Sequence, residues 1–190
     1  MKKTVIMGID PGSRVTGIAI LQKEDASKID VLAYDAIRLD SVEEQIPRLK
    51  YLYEKITEYL LSFKPDGCAV ETPVYGKDPQ AMLKLGRAQA AAILAVSNQG
   101  IPISEYFPKA VKKSITGNGN AAKSQVAYML DSFFTMPDEK LSEDITDAIA
   151  VAWCHFMKGD TSHDQMHKTS GGVSVSSWSD FAKNNPDRIK

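Results

Sequence analysis

Several classes of protein are excluded by what this 190-residue chain contains little of. It has two cysteines, Cys68 and Cys154, with no Cys-x-x-Cys pair and no Cys/His ligand spacing. Both sit among apolar neighbours and read as core residues in a reducing compartment, not as a disulfide frame or a thiolate metal site. No apolar run approaches the ~20 residues that span a bilayer. Met1-Lys2-Lys3 leads into a β-branched strand, not into the apolar segment and cleavage site of a leader, so a cytoplasmic location without membrane association is expected. An excess of positive charge is missing too: 23 Lys and Arg stand against 24 Asp and Glu, for a net charge of -1. A globally basic nucleic-acid binder is thereby excluded, and any such role must rest on a local patch.

What is present suffices for one domain of ordinary size with its own core. That domain is expected over residues 1–158. From Gly159 onward the chain turns to Ser, Thr, His, Gly and Asp without sustained periodicity, so 159–190 is expected to be a flexible tail in which Trp178 and Phe181 are the aromatics.

The chain is organised around TVIMGIDPGSRVTGIAI, Thr4 to Ile20. Val5, Ile6, Met7 and Ile9 form a nearly continuous apolar run, as in a strand covered on both faces, and the run ends on Asp10. Asp-Pro-Gly is by itself a good β-turn. A carboxylate leaving the centre of a sheet, however, costs several kcal/mol unless it is paired or metal-bound, on the order of the penalty for any buried ion.

Val15–Leu21 and Ile29–Leu39 continue an antiparallel meander. Ser41 with Glu43 and Glu44 marks a helix start, followed by Leu49, Leu52, Ile56, Leu60 and Phe63 at helical spacing. Pro65-Asp66-Gly67 stops that helix. Cys68–Glu71 is a short apolar strand that again ends on a carboxylate. A second helix over Ala81–Asn98 is small-sided at Gly86, Ala88, Ala90, Ala91 and Ala92, which admits a close neighbour either in the core or across a subunit interface. A strand over Ile101–Ser104, helices over Pro108–Ile115 and Ala121–Phe134, and a last helix capped by Ser142 and running to Met157 complete the pattern.

If the fourth strand lies parallel beside the first, Asp10 and Glu71 meet at one sheet edge. On the last helix Asp144 and Asp147 lie one turn apart. Alone, they are equally a solvated first turn favoured by the helix dipole. Four converging acids would form a trough of oxygen ligands suited to Mg²⁺, and a pair of such ions about 4 Å apart hydrolyses phosphodiesters. Arg87 on the second helix, Lys109, Lys112 and Lys113 on the next, and Lys123 after the TGNGN link are the basic residues available for phosphate. Gly117 and Gly119 are expected to leave backbone N–H groups free there as a phosphate seat. Tyr75, in a Pro/Gly loop after Glu71, is placed either to stack on an unpaired base or to cover a core edge.

The stretches GIDPGSRVTGIAI, AVETPVYGKDPQAMLKLGRAQAAAI, PKAVKKSITGNGNAAKSQV and EDITDAIAVAWCH together resemble the RuvC Holliday junction resolvases. The resemblance implies an α/β fold with a ribonuclease-H-like mixed five-stranded sheet flanked by helices. It implies Asp10, Glu71, Asp144 and Asp147 as the catalytic acids, binding two Mg²⁺ per site with Mn²⁺ as the alternative, and DNA-contacting lysines at Lys112 and Lys123. It also implies a homodimer that cuts four-way DNA junctions by paired symmetric nicks in recombination and repair, with the RuvA and RuvB branch-migration proteins as partners. Where some members carry an aromatic three residues after the glutamate, this chain has Val74, and an aromatic follows at Tyr75.

Two rivals are weaker. The first hairpin also resembles the phosphate-binding hairpin of the actin and hexokinase ATPases, but those need a second lobe and a second Gly-rich loop that this sequence does not supply. A non-cutting junction scaffold would have no use for all four acids.

Overall fold

The computed structural model describes residues 3–158 apart from 26–27, 43, 74–75, 77 and 135–140. Tyr75 and the segment with Trp178 and Phe181 lie outside the described residues. Strands β1 (Thr4–Asp10), β2 (Val15–Asp25) and β3 (Lys28–Arg38) precede helix α1 (Gln45–Phe63), then β4 (Gly67–Glu71), α2 (Pro79–Ser97), β5 (Ile103–Tyr106), α3 (Pro108–Thr116), α4 (Lys123–Phe133) and α5 (Glu143–Lys158).

The sheet runs β3-β2-β1-β4-β5. The first three strands form the expected antiparallel meander, and β4 joins β1 in parallel, as does β5 to β4. Because β1 is central, alternate residues serve two cores. Ile6 faces the one shared with α3, α4 and α5, while Met7 and Ile9 face the one shared with α1 and α2. This two-sided burial explains the continuous apolar run in the sequence.

Helix α1 buries Leu52, Ile56 and Leu60. It begins at Gln45, later than Ser41, because Ser41 Oγ donates to the Arg38 carbonyl and Val42 N–H to that of Leu39, which holds residues 39–42 as a turn, while Arg48 Nε donates to the Val42 carbonyl. At its other end Lys64 is left-handed, and Asp66 grips β1 twice: its N–H donates to the Val5 carbonyl (2.8 Å), and its carboxylate accepts from the Val5 N–H (2.8 Å). Strand β5 starts two residues after the expected Ile101, since Pro102 has no N–H for a ladder and offers only its carbonyl, to Cys68 N–H.

Helix α5 is buried around more than one stripe: besides Ile145, Ile149, Ala152 and Phe156, it buries Ala148, Ala150, Val151 and Cys154. It lies against β1 and β2 at backbone contact. A Cβ on Gly8 would stand 2.1 Å from the Ala148 carbonyl oxygen, and one on Gly17 would stand 1.9 Å from that of Asp144. Only glycine allows that approach, and the approach sets the height of the first turn of α5 over the end of β1. Both cysteines are buried free thiols, as expected.

Candidate active site

The parallel register of β1 and β4 runs from Ile6 opposite Gly67 to Ile9 opposite Val70, so the residues that follow, Asp10 and Glu71, emerge side by side. On its other side Asp10 is opposite Gly17, the glycine on which Asp144 rests. One helical turn further along α5, Asp147 reaches the same edge. Carboxylate oxygens of Asp10, Glu71 and Asp147 lie within 4.8 Å of one another. They line a cavity of about 300 Å³ together with Lys112 and Lys123.

Asp144 stands apart from the trio, yet its charge contributes to raising the pKa of Asp10. Of the six basic or aromatic DNA-binding candidates, Lys112 and Lys123 face the trough. Lys109 and Lys113 are exposed on α3 and do not line it. Arg87 donates to Gln45 Oε1 on α1 (3.2 Å).

The electrostatics are those of crowded, poorly hydrated acids. Burial, then repulsion from Asp147, lifts the Asp10 carboxyl from 3.8 to about 7. Burial, then the charges of Asp10 and Asp147, lifts Glu71 from 4.5 to about 8. The hydrogen bond between the two carboxyls favours the proton on Glu71. Lys123 supplies part of the compensation: its ammonium donates to Asp147 Oδ2 at 2.8 Å and to Glu143 Oε2 at 3.1 Å, and these contacts raise its pKa. Glu143 is a partner that sequence reasoning missed; the only trace was an acid in a helix's first turn, the commonest place for an acid to sit for dipole reasons alone.

The TGNGN link leaves less of the expected phosphate seat than the sequence implied. Gly117 N–H closes α3 on the Lys113 carbonyl (2.9 Å), Asn118 N–H donates to Thr116 Oγ1, Asn120 N–H to Asn118 Oδ1 and, just beyond the link, Ala122 N–H to Gln125 Oε1. Of the two glycine amides expected to be free, that of Gly117 is therefore committed to α3.

A ring of oxygen donors without thiolate, half-buried and only partly compensated by lysine, suits a hard divalent cation. The family model described as crossover junction endodeoxyribonuclease RuvC matches residues 6–155. The chain belongs to the RuvC family.

A RuvC from Salinibacter ruber is 42% identical, with 97% of this chain and 98% of the relative covered. One from Porphyromonas gingivalis is also 42% identical, covering 100% of this chain and 98% of the relative. Among solved structures, T. thermophilus RuvC in complex with Holliday junction substrate superposes with a TM-score of 0.76 at 28% identity, covering 82% of this chain and 94% of that one. The yeast mitochondrial Holliday junction resolvase Ydc2 shares the fold, with a TM-score of 0.58 at 14% identity. The ribonuclease-H-like α/β fold implied by the RuvC motifs is therefore the fold observed, and divalent-metal chemistry agrees with both the family and the donors. No helix among the described residues is long and apolar enough to cross a membrane.

Proposed function

We propose that this chain is a structure-selective endonuclease that resolves four-way DNA junctions by paired symmetric nicks in homologous recombination and repair. The observation that carries this reading is the convergence of Asp10, Glu71 and Asp147 at one sheet edge in a chain of the RuvC family. These three are the metal-holding catalytic acids, and Asp144, one turn away, completes the charge of the trough. Two Mg²⁺ ions per site fit a set of carboxylates that leaves room for retained water, with Mn²⁺ as the alternative. When bound, such ions activate water and stabilise the leaving oxygen of the phosphodiester.

The chain's own side chains do the rest. The strand ends fix Asp10 and Glu71 at adjacent positions, α5 delivers Asp147 from above, and Lys112 and Lys123 offer ammonium groups to phosphate at the same cavity. Lys109, Lys113 and Arg87 extend the DNA-binding surface beyond it, and Tyr75 is a further proposed DNA contact.

A four-way junction has two-fold symmetry, so a C2 homodimer is the simplest way to make matched cuts. Support for an interface on α2 comes from its outward side. There Gly86 meets open space, Ala90 is exposed, and Leu83 and Leu94 are 57% and 55% exposed, while Ala88, Ala92 and Ala95 serve the core. Of the two uses the sequence left open, the core takes Ala88, Ala92 and Ala95, and the exposed Gly86 and Ala90 support the interface. The RuvA and RuvB branch-migration proteins are the proposed partners, and cytoplasmic action follows from the proposed substrate.

The test is Mg²⁺-dependent nicking of a labelled synthetic junction in single turnover, beside a gel shift in Ca²⁺. Asp10→Asn, Glu71→Gln and Asp147→Asn are expected to abolish cutting and keep binding, whereas Asp144→Asn retains partial activity. Cutting by Asp10→Asn at the wild-type rate would remove the trough from the chemistry.

A further inference from the structure

A second cavity, of about 230 Å³, opens beside the trough and contains the opposite kind of charge. Ser13, from the turn after Asp10, forms one wall; Arg48 of α1 and Lys84 of α2 form the others, over a floor that includes Leu39, Leu49 and Ala88. No acid lines it. Arg48 is half-buried, and its Nε is committed to the Val42 carbonyl, which aims a fixed guanidinium. Lys84 is exposed and has no carboxylate partner among the described residues, in contrast to Lys3, Lys50, Lys55 and Lys123, each of which pairs with an acid.

The position of this cavity gives it meaning. Asp10 and Pro11 line the trough, and Ser13, at the end of the same turn, lines the second cavity. On α2, Leu85 lines the trough while its neighbour Lys84 and Ala88 line the second cavity. The turn after Asp10 and the first half of α2 therefore border both cavities, which makes them neighbours. Two cations and a hydroxyl on an apolar floor constitute a phosphate-binding set.

We propose that this Ser13–Arg48–Lys84 cavity seats a backbone phosphate of the bound DNA a few nucleotides from the scissile one, so that the strand is held at two neighbouring points. The proposal rests on the nuclease reading above and adds to it a second anchoring point that fixes which phosphate enters the trough.

The experiment is junction binding by the full chain in Ca²⁺, measured across about 50 to 200 mM salt, where each phosphate neutralised contributes about 0.9 to the slope of log affinity against log salt. Lys84→Ala is expected to flatten the slope by about that one contact, as Lys112→Ala does for the trough. Lys23→Ala removes the same charge at the far end of β1, opposite Thr4, and is expected to leave the slope unchanged. Ser13→Ala, which removes a hydrogen bond and no charge, is expected to lower affinity several-fold at every salt concentration with the slope intact. A Lys84→Ala slope equal to wild type, with Lys112→Ala flattened, overturns the second seat and leaves the nuclease reading standing. Failure of the unaltered protein to bind junctions overturns that reading itself.

Discussion

On one face of the sheet, α5 rides at backbone contact on Gly8 and Gly17; on the other, α1 meets the strands through full-sized side chains, Leu52, Ile56 and Leu60. Both faces are well buried, so both contribute to stability. They differ in what a small displacement does. The α1 face holds no member of the acid trio, and a repacked leucine there is absorbed by neighbouring side chains. The α5 face carries Asp147, whose carboxylate must meet those of Asp10 and Glu71 to within a few ångströms, and a glycine contact leaves no side chain to absorb an error. Precision is thus located on one side of the sheet and bulk hydrophobic stabilisation on the other.

The sharpest way to break this comparison is Gly17→Ala. The new methyl group overlaps the Asp144 carbonyl, so the first turn of α5 must lift. Overpacking of this kind costs about 1–3 kcal/mol of stability, and a displacement of ~1 Å at the acids lowers single-turnover cleavage by about 100-fold or more. Leu52→Ala is the matched change on the other face. Loss of that buried side chain is expected to cost about 2–5 kcal/mol in denaturant unfolding, with cleavage per folded molecule retained. Equal losses of cleavage in the two variants would show that the faces do not divide the labour in this way.

A smaller effect sharpens the same contrast through pH. Asp10 and Glu71 titrate higher in the folded protein than their ordinary values of 3.8 and 4.5, at about 7 and about 8. A carboxyl whose folded-state pKa is raised contributes stability that is fully present below its unfolded pKa and is lost as pH rises through the folded one. In EDTA the Tm is therefore expected to fall as pH goes from about 4 to about 8, the window set by those shifts. Mg²⁺ should restore most of the loss at the alkaline end, because cations bind the ionised acids. Asp10→Asn should flatten the EDTA profile and leave the protein more stable than wild type at pH 8, since one of the repelling charges is gone. A Tm that rises with pH in EDTA would contradict the crowding of these acids.

Much of the fold was legible because its determinants are local. The apolar run ending on Asp10, the helical spacing of Leu52, Ile56 and Leu60, the stop at Pro65-Asp66-Gly67 and the carboxylate closing β4 each report a periodicity or a terminus that neighbouring residues impose on one another. The expected starts that failed were also local, but they were decided by hydrogen bonds that hydrophobic periodicity does not report: Ser41 is drawn into a turn by the Arg38 carbonyl three residues back, and Pro102 withholds a ladder hydrogen bond from β5. The TGNGN amides looked free in the sequence because their acceptors, Lys113 O, Thr116 Oγ1 and Asn118 Oδ1, come into range only once α3 is formed and the link has turned on itself.

The sequence by itself determined the element order, the two-sided burial of β1 and the residue types of the site, because these follow from hydrophobic pattern and from the small set of chemistries open to carboxylates. The tertiary structure alone decided that Asp10, Glu71 and Asp147 converge while Asp144 stands one turn away, that Lys123 is shared between Asp147 and Glu143, and that Ser13, Arg48 and Lys84 face one cavity. Those groupings join residues from separate strands and helices. Their spacing is set by how closely backbones pack, as at Gly8 and Gly17 under α5, and no stretch of sequence taken alone contains that distance.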